Sequence, residues 1–169
     1  IASNQLTILP AHEKVTKHAN MNPKDLEAQT LNRNSSGIKI HETDSSWQIN
    51  TKKGLISFKK STGALNSYVW KGKEQIVQPL LPKFTRPLTD NDKRGWKPNR
   101  KLWQWYQASL QLKSMQVKST SDGLAKVTVL YHLINDSAKL QLQYLIDSNG
   151  VVQVDYSLKA DPALPNIPK

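Results

Sequence analysis

Three runs decide the fold: Ala125-Lys126-Val127-Thr128-Val129-Leu130-Tyr131-His132-Leu133, then Leu140-Gln141-Leu142-Gln143-Tyr144-Leu145-Ile146, then Val151-Val152-Gln153-Val154-Asp155-Tyr156-Ser157-Leu158. In each, apolar and polar residues alternate, so every second side chain falls on one face. That is the period of a strand with one buried side. Between the second and third runs stands Asp147-Ser148-Asn149-Gly150. These are residue types that tolerate the backbone conformations of a tight reversal. The pattern predicts an antiparallel ladder.

Toward the N-terminus, Leu112, Met115 and Val117 predict an irregular strand. Between Arg100 and Leu110, the spacing of Trp103, Tyr106 and Leu110 predicts one short helix. The segment from Pro79 to Trp96 contains Pro79, Pro82 and Pro87 and no usable period. It reads as an ordered loop, a class of segment that commonly faces a ligand or a partner. From Ile38 to Val77 the texture is again that of short strands. Lys39–His41, Trp47–Asn50, Leu55–Phe58, Leu65–Trp70 and Gln75–Val77 are separated by turn residues that include Gly54, Gly63 and Gly72. Residues 1–10 hold one alternating run, with Leu6 and Ile8 on one face and Pro10 ending it. Residues 11–37 are rich in His, Asn, Lys and Ser and read as a linker. The tail from Pro162 to Pro168 is rich in proline.

The chain has 169 residues, enough for one domain with a real core. It has no cysteine, which excludes disulfides and Cys-ligated metals. No run approaches the roughly 18 apolar residues of a membrane helix, so no membrane partner is expected. The formal net charge is +11. Only Lys93-Arg94, Lys97 and Arg100-Lys101 cluster; the other cations are scattered. A solvated surface, or a face matched by acidic protein, accounts for such a distribution better than a nucleic-acid site does. The compartment stays open between bacterial periplasm and cytoplasm.

Among candidate chemical groups, Asp90 and Asp92 are a close carboxylate pair. They read either as ligands or a dyad, or as an Asx turn whose side chains bond nearby backbone N–H groups. The turn is preferred, because no further ligand of metal-site spacing follows. Arg86 is positioned to pair with one of them. The four histidines, His12, His18, His41 and His132, share no ligand spacing. No catalytic residue and no metal site is assigned.

The segment Lys83-Phe84-Thr85-Arg86-Pro87-Leu88-Thr89-Asp90-Asn91-Asp92, followed by Gly95, resembles the stretch that opens the last domain of the large β-galactosidases of glycoside hydrolase family 2. The resemblance extends upstream through Phe58, Gly63, Leu65, Tyr68, Gly72, Lys73 and Glu74. Downstream it runs through Leu102–Tyr106, the hairpin Tyr144–Asp155 and Leu164–Pro168. It spans about residues 38–169, and residues 1–10 are similar to the final strand of the immunoglobulin-like domain that precedes this one.

The resemblance implies an all-β fold, an antiparallel supersandwich of the galactose mutarotase type, of which residues 38–169 would be the N-terminal half. Half a sandwich is expected to leave an apolar face and strand edges without their cover. In the family the catalytic glutamates lie on an earlier barrel, so this chain is expected to be an inactive accessory part. It would pack on the barrel and other domains of the same polypeptide, and homo-oligomers are compatible with it. Galactoside would be met only through the intact enzyme. Cofactors are expected to be absent here, the family's magnesium and sodium being bound elsewhere. Phe84, Arg86, Pro87, Asp90, Asn91 and Asp92 form the structural motif, and Asp92, Lys93, Arg94, Gly95 and Trp96 would border the substrate cleft. Gly95 would serve as the permissive backbone position of that loop. Trp103 and Trp105 read as core or interface anchors rather than sugar-stacking groups, while Trp96 stays open between the two. The alternatives are a free-standing carbohydrate-binding sandwich and, further off, a basic nucleic-acid binder using residues 93–106.

Overall fold

The computed structural model of the protein describes residues 2–8, 37–85 and 87–165, and for residues 2–8, 96, 98 and 99 the backbone alone. Residues 11–36 of the expected linker and Arg86 lie outside the described residues. The strands are β1 Ala2–Ile8, β2 Lys39–Glu42, β3 Ser46–Asn50, β4 Gly54–Lys59, β5 Leu65–Trp70, β6 Lys73–Glu74, β7 Gln111–Ser119, β8 Ala125–Leu133, β9 Ala138–Ile146 and β10 Val152–Ala160. One sheet runs β1-β10-β9-β8-β7 and the other β2-β3-β4-β5-β6, with every pairing antiparallel. The all-β reading is correct.

The alternation seen in the sequence sets the inward face. β8 buries Ala125, Val127, Val129, Tyr131 and Leu133, and β9 buries Ala138, Leu140, Leu142, Tyr144 and Ile146. From the other sheet Ile49, Ile56, Phe58, Leu65, Tyr68 and Trp70 join the same core. Phe58 meets Tyr144 edge-on, with centroids 4.9 Å apart and planes at 65°. Burying one aliphatic side chain contributes about 1.5–3 kcal/mol, against about 1 kcal/mol for one turn hydrogen bond. A one-residue slip of β8 would turn its whole buried set outward, so burial fixes the register. Two bulges break the alternation. A register shift at Ser57/Phe58 gives three consecutive buried residues, Ile56, Ser57 and Phe58. A second, between Leu112 and Ser114, makes β7 irregular, as its sequence predicts.

Three expectations need correction. The strand expected at Gln75–Val77 is instead Lys73–Glu74, and Val77 is fully exposed. Burial pushes the Glu74 carboxyl up, but the Ser67 hydroxyl and the backbone N–H groups of Tyr68, Ile76 and Gln75 outweigh it and hold it below the usual carboxylate range. Gathering those donors turns the chain away from the sheet just after Glu74. The single helix is two turns, α1 Pro98–Lys101 and α2 Trp103–Tyr106. They are separated by Leu102 at φ −119°, ψ 25°, which resets the helical phase. Leu102 and Trp105 therefore point inward, whereas Trp103 is 53% exposed. Finally, the sheets cover one another. Among the described residues the exposed large apolar side chains are Val77, Leu80, Leu81, Trp103 and Tyr156, not a continuous face.

Two tyrosines lock the layers reciprocally. Tyr131 of β8 donates to the carbonyl of Thr62, in the β4–β5 turn of the opposite sheet, at 2.8 Å. Tyr68 of β5 donates to the carbonyl of Gly150, in the β9–β10 turn, at 2.7 Å. Gly63 lies beneath the first contact with φ 69°. A Cβ there would stand 2.5 Å from Val129 Cγ1 and 2.7 Å from Tyr131 Oη. Gly72 shares the left-handed backbone, with φ 77°, but a Cβ there meets nothing within 4 Å.

The pair separates strain from packing. Gly72→Ala is expected to cost about 1 kcal/mol, and Gly63→Ala about 2–5 kcal/mol, because overpacking adds to the backbone term. Urea unfolding reads both, and equal losses would contradict the close approach at Gly63. Burial also raises the Tyr131 phenol to about 12. A group whose folded-state pKa is raised stabilises fully below its unfolded value and loses that contribution as pH rises through the folded one. Stability is therefore expected to fall between about pH 10 and 12. Tyr131→Phe should lessen that alkaline slope, part of which remains because burial also pushes up the Tyr144 phenol, while costing about 1 kcal/mol at neutral pH. An unchanged alkaline slope would contradict the assignment.

Candidate functional site

The loop from Leu81 to Leu110 carries the motif residues. Phe84 packs against the core and tilts over Trp105, with centroids 5.3 Å apart and planes at 38°. Trp105 is buried, and its indole N–H donates to the Pro165 carbonyl at 2.8 Å. This anchor ties the loop to the C-terminal tail and bears out the reading of Trp105 as a core residue.

Thr89 and Asp92 satisfy each other at the start of the next turn. Asp92 Oδ2 accepts from the Thr89 backbone N–H at 2.8 Å and from the Thr89 hydroxyl at 2.9 Å. The Asp92 backbone N–H donates to Thr89 Oγ1 at 3.3 Å. This is the reciprocal geometry of a capping box, in which two orphan donors find side-chain acceptors. Asp92 is buried, while Asp90 is open to solvent and stands 3.7 Å from Lys93 Nζ. The two carboxylates are thus in different environments. The turn reading of Asp90-Asn91-Asp92 describes Asp92 well, whereas Asn91 makes no side-chain capping bond. Among the described residues, no three His, Cys, Asp or Glu side chains group as a metal site.

Beyond the motif, Asp92–Trp96 forms a wide π-type turn, closed by the Lys97 N–H donating to the Asp92 carbonyl at 2.8 Å. Lys93, Arg94 and Gly95 are exposed; the side chain of Trp96 lies outside the described residues. Gly95 is not the special backbone position. Left-handed backbone falls instead on Lys97, at φ 51°, and a Cβ on Gly95 would meet nothing within 4 Å.

Some of the cations outside this loop are engaged locally. Lys71 and Lys53 lie 4.2 and 5.9 Å from the Trp70 ring centroid. Lys60 lies 5.4 Å from the Trp47 ring and 2.6 Å from Glu42. His132 sits 2.5 Å from Asp136, whose carboxyl this contact and nearby Lys113 hold below the usual range. His132 is thus a satisfied polar-face residue, as its place in an alternating strand suggests.

Sequence reasoning missed one concave feature. The outward indole of Trp103 borders a cleft of about 340 Å³ shared with Gln104, Gln107, Gln111 and the β8–β9 turn. The signal was the neighbouring Trp105: two tryptophans two residues apart on one helical turn cannot both face the core.

The model of the family described as beta galactosidase small chain matches residues 50–169. A beta-galactosidase from Halalkalibacterium halodurans is 32% identical over 142 residues, which covers 80% of this chain and 14% of the relative. The chain thus spans about one-seventh of that protein's length. The family match takes in the strands from the end of β3, the Asp92 capping box, the Trp105 anchor and the β9–β10 hairpin, so the sandwich and its motif loop are shared, and the chain belongs to the β-galactosidase small-chain family.

Proposed function

We propose that the chain is a non-catalytic, structural part of a β-galactosidase, packed on the catalytic barrel of the intact enzyme, with Asp92–Trp96 bordering the substrate cleft. Coverage carries this reading: the chain matches 14% of a beta-galactosidase, and its described residues form two facing sheets. Retaining glycoside hydrolysis needs two carboxylates about 5–5.5 Å apart, one of them able to give up a proton. The carboxylates buried here, Asp92 and Asp147, accept backbone N–H bonds within their own turns. Such bonds fix the orientation of each carboxylate within its own turn, which suits a structural role.

In this reading terminal β-galactosides are hydrolysed by glutamates elsewhere in the polypeptide, where magnesium and sodium are also held. Residues 38–169 form the N-terminal half of a larger sandwich, and residues 2–8, expected to close a preceding domain, instead pair with β10 in this one, with 11–37 as the connection. The capping box then shapes the cleft loop, while Lys93 and Arg94 stand at its exposed surface.

The chain purified alone is expected to release no chromophore from o-nitrophenyl β-galactoside above the buffer rate; turnover that survives further purification would overturn the proposal. In the intact enzyme, Asp92→Ala should raise KM about tenfold with kcat within about threefold, because it displaces a wall of the cleft and not a reacting group. Asp90→Ala should leave both unchanged. A collapse of kcat with unaltered KM would place Asp92 in the chemistry and refute the accessory role.

A further inference from the structure

The cleft beside Trp103 has the composition of a ligand site. Trp103, Gln104 and Gln107 come from α2 and its end, Gln111 opens β7, and Ile134 and Asn135 come from the β8–β9 turn. Gln104, Gln107, Gln111 and Asn135, four residues with primary amides, line one space together with Trp103, which is 53% exposed. None of the lining side chains is ionisable. A volume of about 340 Å³ lies at the lower end of the roughly 300–1,000 Å³ range of small-molecule sites.

The backbone supplies a second, independent observation. Ile134, Asn135 and Asp136 all have left-handed backbone, at φ 51°, 50° and 68°. Asparagine and aspartate tolerate that region, but a β-branched isoleucine there is a genuine outlier. Such strain costs about 1–3 kcal/mol per residue and concentrates where a ligand is held. The turn is closed by the Ser137 N–H donating to the Ile134 carbonyl at 3.0 Å, and Ile134, Asn135 and Ser137 of this turn line the cleft.

We propose that this cleft binds a neutral pyranoside. An indole face suits the apolar C–H face of a pyranose ring, whose hydroxyls then point to the sides or away from the indole. Each primary amide offers two donors and an acceptor, matching hydroxyls that both donate and accept. The absence of charge among the lining residues removes any reason to favour an anion or a cation. The site goes beyond the accessory role and does not rest on it, because binding is a property of these residues whether or not the chain meets a barrel.

Saturation-transfer NMR on the 169-residue chain with lactose tests it. Binding is expected in the region of about 1 mM, as suits a small, open site. Trp103→Ala should weaken it at least about tenfold, and Trp103→Phe should keep part of it, since a smaller ring still offers a stacking face. Gln107→Ala should weaken it by a smaller factor. Trp103 is half-exposed, so thermal unfolding of Trp103→Ala should match the parent; if that variant unfolds, Gln104→Lys, at the cleft surface, decides instead through loss of lactose transfer. Galacturonate and glucosamine should bind no better than lactose. No transfer from lactose, or transfer undiminished by the substitutions, overturns the proposal. A cleft that stays silent to sugar but is occluded when the chain is part of a larger polypeptide would mark it as a contact between domains.

Discussion

Tyr131 and Tyr68 impose the constraint on which the layers depend. Each crosses from its own sheet to a carbonyl in a turn of the other, so neither sheet can slide without breaking one of these hydrogen bonds. A phenol suits such a crossing, because its ring adds apolar area to the core while its hydroxyl satisfies a carbonyl that burial would otherwise leave without water. Phe58 and Tyr144 add an edge-on ring contact between the sheets. Gly63 permits the approach, because any side chain there would collide with the Tyr131 hydroxyl itself. The turns are held by hydrogen bonds from both sheets. The β9–β10 turn is held from within by Asp147, which accepts from Asn149 and Val151, and from outside by Tyr68 and by the Lys52 N–H bonded to the Ser148 carbonyl.

Much of this is legible in the sequence. β8, β9 and β10 alternate so regularly that the period-2 rule alone places Val127, Val129, Tyr131, Leu142 and Tyr144 inside. β5 has the bounds its sequence predicts, because turn residues bracket an aromatic run. What escapes is decided by particular side chains. Glu74 collects donors from four residues and ends β6 before the β-branched Ile76-Val77 pair that looks like a strand. Leu102 breaks the helical phase, so a spacing count that starts at Trp103 selects the wrong tryptophan. The bulge at Ser57/Phe58 is silent in composition, since any residue can occupy it.

The motif loop shows the same division. That Asp90-Asn91-Asp92 makes a turn follows from residue type, but that its carboxylates differ so much does not. Asp92 faces Thr89 across one helical turn and Asp90 faces solvent, a distinction set by the i, i+3 geometry of the cap. Family membership and local chemistry therefore speak at different resolutions. The match over residues 50–169 places the chain in the β-galactosidase small-chain family, while hydrogen bonds decide what each acid in it is fit to do. Scattered positive charge, which at +11 invites thoughts of polyanions, is partly absorbed by the indole faces of Trp47 and Trp70.

The irregularity in β7 gives its sheet a direction. Lys113 is skipped in the pairing with β8, and the outer strand carries exposed Lys113 and Lys118 along its length. A kinked, cationic border is a poor template, since an incoming strand would find its ladder out of step and its lysines crowded. The flank beside β10 is straight: Ala2–Ile8 matches Val152–Leu158 residue for residue, without a shift. The β10 flank is thus already filled from within the chain, while the β7 margin resists the addition of a further strand.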